Sequence, residues 1–260
     1  MEKQNLNITI LQTHLHWENP KANRTMFEEK IRAIKDQTDL ILLPEMFTTG
    51  FTMNAESNAE GKDGTTLVWL KQLAKEKNCA LTGSIIVKDN DLFYNRLYFV
   101  TANGTVKTYN KKHTFTLAGE HKTYKAGQNR IIVTYKGWRI CPLICYDLRF
   151  PVWARNTEDY DLLLYVANWP EKRVSAWDAL LKARAIENMS YCVGVNRIGL
   201  DGNGHNYSGH SAAYDVLGKQ ISTLDFETEF VETITLTKEH IESNRKHLQF
   251  LNDRDTFTLL

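Results

Sequence analysis

Four short apolar runs each stop on a residue that has chemistry to offer. Leu40-Ile41-Leu42-Leu43-Pro44 leads into Glu45, and the run 140–145 ends on Cys145. Leu162-Leu163-Leu164-Tyr165-Val166-Ala167 is followed by Asn168-Trp169-Pro170, and 191–195 gives way to Asn196-Arg197. A run with almost no polar position has no face to present to water, so strands of this kind are buried on both sides, and their sheet needs a covering layer on each face. The polar residues then lie just past the carboxyl ends of buried strands, which is the edge where α/β sheets bind ligands.

The rest of the chain alternates between the two periodicities. Strand patterns cover 6–12, 40–43, 80–87, 92–100, 131–135, 140–145, 162–167, 191–196, 211–215 and 230–236; helical patterns cover 21–35, 65–77, 151–158, 175–189 and 238–247. Within 65–77, Leu67, Leu70, Leu73 and Ala74 recur at helical spacing, as do Trp177, Leu180, Leu181, Arg184 and Ala185 within 175–189. The runs 80–87 and 92–100 flank Lys88-Asp89-Asn90-Asp91, a hairpin loop, and Ala102-Asn103-Gly104 makes the next turn. Mixed sheets with helices outside them are expected, an α/β architecture. A length of 260 residues without a Pro/Ser-rich linker or a repeat fits one domain. The polar stretches 54–64 and 201–206 read as loops, the first as a mobile one. Gly50, Gly209 and Gly218 read as turn positions that need positive φ or close approach.

Charge excludes several functions. Lys and Arg number 32 against 31 Asp and Glu, a net charge of +1, which gives no electrostatic case for nucleic acid or an anionic membrane. No apolar run approaches the roughly 20 residues that span a bilayer. The first ten residues have no signal-peptide layout, so a reducing cytoplasm is the expected setting. Cys79, Cys141, Cys145 and Cys192 form no CxxC pair and no disulfide framework, and the eight histidines show no zinc-ligand spacing. No Gly-rich nucleotide motif is present. No metal and no cofactor are expected.

Cys145 stands apart from the other three cysteines because it closes an apolar strand and is followed by Tyr146-Asp147. A free thiol titrates near ~8.5 and needs a base or a neighbouring cation to become a nucleophile. Lys111 supplies a cation and Glu45 a base, and a glutamate in a water-poor pocket is a stronger base than one in bulk water. The chain therefore holds the parts of a Cys–Glu–Lys acyl-transfer site, drawn from three distant stretches.

Three motifs in order carry a resemblance. Glu45 sits in Leu43-Pro44-Glu45. Lys111 sits in Tyr109-Asn110-Lys111-Lys112-His113, two residues before the histidine, so that Lys112 falls on the opposite face. Cys145 sits in Cys145-Tyr146-Asp147-Leu148-Arg149-Phe150-Pro151, and Glu120 is followed by Ala126-Gly127. In these segments the chain resembles the nitrilase superfamily, the carbon–nitrogen hydrolases. Its Glu45-Met46-Phe47-Thr48-Thr49-Gly50-Phe51, Ala183-Arg184-Ala185-Ile186-Glu187-Asn188 and Asp255-Thr256-Phe257-Thr258-Leu259 are similar to the omega-amidase branch.

The resemblance implies a four-layer α-β-β-α sandwich. It also implies a homodimer or larger assembly, built through helices such as 175–189 and through 243–260 as a C-terminal extension. The implied chemistry is hydrolysis of the terminal amide of short dicarboxylic acid monoamides, 2-oxoglutaramate and 2-oxosuccinamate. Cys145 is then the nucleophile, Glu45 the general base and acid, Lys111 and the Tyr146 backbone N–H the oxyanion donors, and Glu120 the supporting carboxylate. A substrate of this class carries a far carboxylate, for which Arg173 is the first candidate, ahead of Arg197 and Arg149. Phe47, Tyr146 and Trp169 are candidate pocket walls. His113 is expected to make structural hydrogen bonds, and Asp147 and Arg149 to pair or cap locally. Two other functions stay open from the sequence: the same chemistry on another small amide or carbamoyl compound, and a partner-binding protein that retains the fold without activity.

Overall fold

The computed structural model describes residues 4–223 and 227–258; Leu259 of the terminal stretch lies outside them. Two sheets stack face to face. The first has the spatial order Phe230–Thr237, Asn5–Gln12, Leu40–Leu42, Ala80–Asp89, Leu92–Val100 and Val106–Asn110, with Glu60–Gly61 paired beside the end of Ala80–Asp89. The second runs Ala212–Tyr214, Tyr191–Val195, Leu162–Val166, Trp138–Ile144 and Val133–Tyr135. Each sheet has a parallel centre and antiparallel flanks, the mixed arrangement expected.

Period-two alternation explains the layers. Along Leu40-Ile41-Leu42-Leu43, Leu40 and Leu42 face the second sheet, while Ile41 and Leu43 face outward onto helices. Leu97 and Phe99 face inward in the same way, and Tyr98 and Val100 outward. Phe27 and Ile31 of the helix Pro20–Ala33, and Leu67, Leu70, Leu73 and Ala74 of Thr65–Lys77, cover the outer face of the first sheet. Trp177, Leu181 and Ala185 of Val174–Asn188 cover the second. The result is the four-layer α-β-β-α sandwich. Among the described residues no helix is long and apolar enough to cross a membrane.

Local chemistry sets the helix ends. Pro20 stands in the first turn of its helix, and the Asn19 side chain accepts from the Ala22 N–H at 3.0 Å. Thr65–Lys77 and Val174–Asn188 stop on Asn78 and Met189, each in the left-handed region at φ +51° and +45°.

Three local expectations need correction. The helix read over 151–158 is only Pro151–Ala154, because the buried Asn156 side chain accepts from Tyr160 N and donates to Asn188 O and Tyr160 O, turning the chain away. The hairpin loop read over 88–91 contracts to Asn90-Asp91, both at positive φ as a two-residue turn demands. The stretch 54–64, read as a mobile loop, contains a helical turn at Ala55–Asn58 and the strand Glu60–Gly61. The Glu60 carboxylate holds it down by accepting from Thr66 N at 2.6 Å and Arg24 Nη1 at 3.1 Å. Gly50 has φ +77°, and a Cβ there would lie 3.0 Å from the Trp17 ring, so both turn geometry and close approach require glycine.

Candidate active site

The stacking brings together strand ends from different sheets. Glu45 follows Leu40–Leu42, and Lys111 follows Val106–Asn110, in the first sheet. Cys145 follows Trp138–Ile144, and Asn168 follows Leu162–Val166, in the second. Glu120 opens the helical turn Glu120–Thr123.

Lys111 Nζ lies 2.8 Å from Glu45 Oε1 and 2.9 Å from Glu120 Oε2, with all three side chains buried. Asn95 Nδ2 donates to Glu45 Oε1 at 2.8 Å and to Glu120 Oε1 at 3.3 Å. Across the sheets, Asn168 N donates to Glu45 Oε2 at 2.9 Å, and the Asn168 side chain donates to the Glu45 carbonyl. The Cys145 thiol donates to Asn168 O at 3.8 Å. Asn168 therefore ties the acid to the thiol. Lys111 is the buried lysine of the pair, whereas Lys112 is partly exposed and reaches Gln128.

Cys145 has φ +44°, an uncommon conformation for a residue with a Cβ. It begins a short 3₁₀ turn, Cys145–Arg149, directly after the strand Trp138–Ile144. Burial pushes the Cys145 thiol well up from its ordinary pKa; the Glu45 carboxylate adds to the rise, and the Lys111 ammonium opposes it. Burial alone would depress Lys111, but Glu120 and then Glu45 more than reverse this and hold it protonated. Glu120 is raised, chiefly by burial, with Lys111 pulling the other way. The site thus favours the neutral form of the thiol and the charged form of the lysine beside it.

These groups open onto a cavity of about 530 Å³ whose lining includes Lys111, Cys145, Tyr146 and Asn168. Cys145 is 8% exposed, while Cys79, Cys141 and Cys192 are 0%, so only this thiol of the four reaches the cavity. Its aromatic wall is Trp17, Phe51, Phe115, Tyr146, Trp169 and Tyr207. Phe47, read as a wall, is instead in the core: its ring packs 5.6 Å from Phe27 and 6.0 Å from Trp69. Phe51, four residues on, takes the place, with Lys111 Nζ 5.1 Å from its ring centre.

Arg149 and Arg173 both line the cavity, held 4.9 Å over Trp169 and 5.1 Å over Phe115. Neither guanidinium has an ion-pair partner among the described residues. Arg197, the third candidate, is buried behind the wall against Tyr207 and bonds Leu200 O at 2.9 Å. Sequence reading missed Asn95, Phe51 and the bonding role of Asn168. The only hint of the first was a polar Asn95-Arg96 pair leading into the apolar Leu97-Tyr98-Phe99-Val100.

Comparison with known proteins gives concordant matches. A family model described as carbon-nitrogen hydrolase matches residues 7–246. The chain is 43% identical to an omega-amidase, YafV, of Yersinia enterocolitica, with 98% of this chain and 99% of that protein covered. It is 33% identical to a 2-oxoglutaramate amidase of Bacillus subtilis, over 83% of this chain and 85% of the other. Among solved structures, a CN-hydrolase superfamily protein from Xanthomonas campestris, with an arsenic adduct in its active site, superposes with a TM-score of 0.97 at 40% identity, covering 99% of this chain and 100% of that one.

Proposed function

The chain belongs to the carbon–nitrogen hydrolase family, and from that premise we propose that it is an omega-amidase working through a Cys145 thioester. Its substrates are short dicarboxylic acid monoamides of the 2-oxo class, in line with the names carried by its omega-amidase and 2-oxoglutaramate amidase relatives.

Cys145 Sγ attacks the carbonyl carbon of the terminal carboxamide, and its proton passes to Glu45 as the S–C bond forms. A thiol with a raised pKa gives up its proton only as it attacks, so a base in contact with it is required. The oxyanion is met by the Lys111 ammonium and the Tyr146 backbone N–H. The C–N bond breaks, and ammonia leaves with the proton from Glu45. Water then attacks the thioester, again losing a proton to Glu45; the C–S bond breaks, the thiolate regains the proton, and the acid departs. Glu120 keeps Lys111 charged and in place. Arg173, with Arg149 beside it in the cavity lining, receives the substrate's far carboxylate, and Trp169 braces the Arg173 backbone through a 2.8 Å bond from its indole N–H.

The observation that carries this reading is the meeting of thiol, carboxylate and ammonium beside one cavity that also holds two guanidinium groups with no ion-pair partner among the described residues. The test is ammonia release from 2-oxosuccinamate, 2-oxoglutaramate, glutamine and a neutral short amide. The expected result is preference for the first two and no turnover by folded Cys145→Ala. Near-wild-type turnover in that variant overturns the mechanism. The same reading includes one domain over 1–260, a cytoplasmic setting, and a homodimer or larger assembly through 175–189 and 243–260, the last tested by sedimentation.

A further inference from the structure

We propose that Asp147 is the positioning residue that sets Lys111 against Cys145, by hanging both of their chain segments from one buried carboxylate. The inference rests on the roles proposed above for Cys145 and Lys111.

The Asp147 side chain is 0% exposed and touches four donors. Oδ1 accepts from His113 N at 3.0 Å and pairs with His113 Nδ1 at 2.8 Å. Oδ2 accepts from the Tyr109 hydroxyl at 2.7 Å and from Ile144 N at 3.1 Å. A carboxylate only accepts, and has about four lone-pair sites, so the four donors use it fully and fix a proton on His113 Nδ1.

The partners explain the purpose. Tyr109 and His113 bracket Lys111 two residues away on either side, so the lysine's segment is pinned both before and after it. Ile144 precedes Cys145, and its bond to Asp147 closes the turn across the nucleophile's left-handed conformation. Such a conformation persists only where its surroundings over-determine it. The latch is itself braced: Tyr109 Oη accepts from Trp153 Nε1 at 3.1 Å and Lys112 N at 3.2 Å, and the His113 ring stacks on Phe150 with centres 3.6 Å apart. Asp147 does not line the cavity and touches no reacting atom. It acts through the separation of the two groups that must bracket one acyl carbon.

Asp147→Asn tests this at constant size. Whichever way the amide is turned, its NH₂ faces a main-chain N–H, either of His113 or of Ile144, so one tether is lost. With the proposed keto-acid amides, kcat is expected to fall about 10- to 100-fold while KM stays within about threefold, since a displacement near 1 Å costs reaction rate rather than binding. Tyr109→Phe, which keeps both main-chain bonds to Asp147 and loses those of the hydroxyl, should give a smaller fall in kcat, again with KM unchanged. Adding it to Asp147→Asn should cost less than it does alone, because both act through the same latch. A soluble Asp147→Asn protein with kcat within about twofold of wild type, or with KM rising as far as kcat falls, overturns the proposal. If that variant fails to fold, Tyr109→Phe decides: wild-type kcat overturns the latch, and a kcat loss at constant KM supports it. Cys145→Ala assayed alongside separates the readings, since activity in that variant sinks the proposed mechanism whatever Asp147 does.

Discussion

At the scale of single residues, the environment of Cys145 makes two opposed demands. The thiol must be reachable, yet burial and Glu45 both disfavour its ionisation. Burial likewise pushes Cys79 and Cys141 up to about 12, but these have no access to the cavity. Iodoacetamide should therefore modify Cys145 first. Because its folded pKa lies above the ordinary value, the thiolate fraction keeps growing past that value, and the labelling rate should go on rising above pH ~8.5. A plateau at or below that pH contradicts the geometry. Arg173 makes a separate prediction. Its guanidinium has no carboxylate partner among the described residues, so Arg173→Ala should raise KM for keto-acid amides by about 10-fold or more, the value of a charge-assisted pair, and leave a neutral amide little changed. Equal loss on both substrates removes Arg173 from this role. Glu45 and Cys145 were legible as candidates because each follows an apolar run, and Lys111 because it lies two residues before His113 in the motif Tyr109-Asn110-Lys111-Lys112-His113. Phe47 was misread because Phe47 and Phe51 lie in one aromatic-rich stretch, and only the turn at Met46–Gly50 decides which ring faces the core.

At the scale of elements, long amphipathic patterns gave sound boundaries and short ones did not. Thr65–Lys77 was read in full, since four apolar residues at helical spacing leave no other solution. The segment after Pro151 failed because the side chain that ends the helix, Asn156, finds its partner at Asn188, far along the chain. Elements are also joined by local clamps. Glu229 accepts from Thr13 Oγ1 at 2.6 Å and His14 N at 2.9 Å, and pairs with Lys30 at 2.9 Å, tying the end of Asn5–Gln12 and the helix Pro20–Ala33 to the strand that returns at Phe230. Burial would raise its pKa, but the bonds from Thr13 and Lys30 outweigh this and hold it at about 2. The folded value lies below the ordinary one, so the clamp's stabilisation is complete above the ordinary carboxylate range and is lost as pH falls toward 2. The gap in urea midpoint between wild type and Glu229→Gln should be present at pH 7 and shrink by pH ~3. A gap that does not change with pH refutes the clamp.

At the scale of the whole molecule, the site exists because two sheets are stacked. Glu45 and Lys111 belong to one sheet and Cys145 to the other, and the contacts that join them, Asn168 to Glu45 and Tyr109 to Asp147, cross between chain segments far apart in sequence. The α/β class and the doubly buried strands were readable from the chain alone, because hydrophobic periodicity and the end of an apolar run are local properties, and the proposed reactive groups were picked out by short contiguous motifs. What depends on packing is which aromatic rings wall the cavity, which arginines have no ion-pair partner among the described residues, and which buried carboxylate bonds both the lysine's segment and the thiol's. Those are matters of distance between residues that the chain does not place side by side, and distance is set by how the sheets pack.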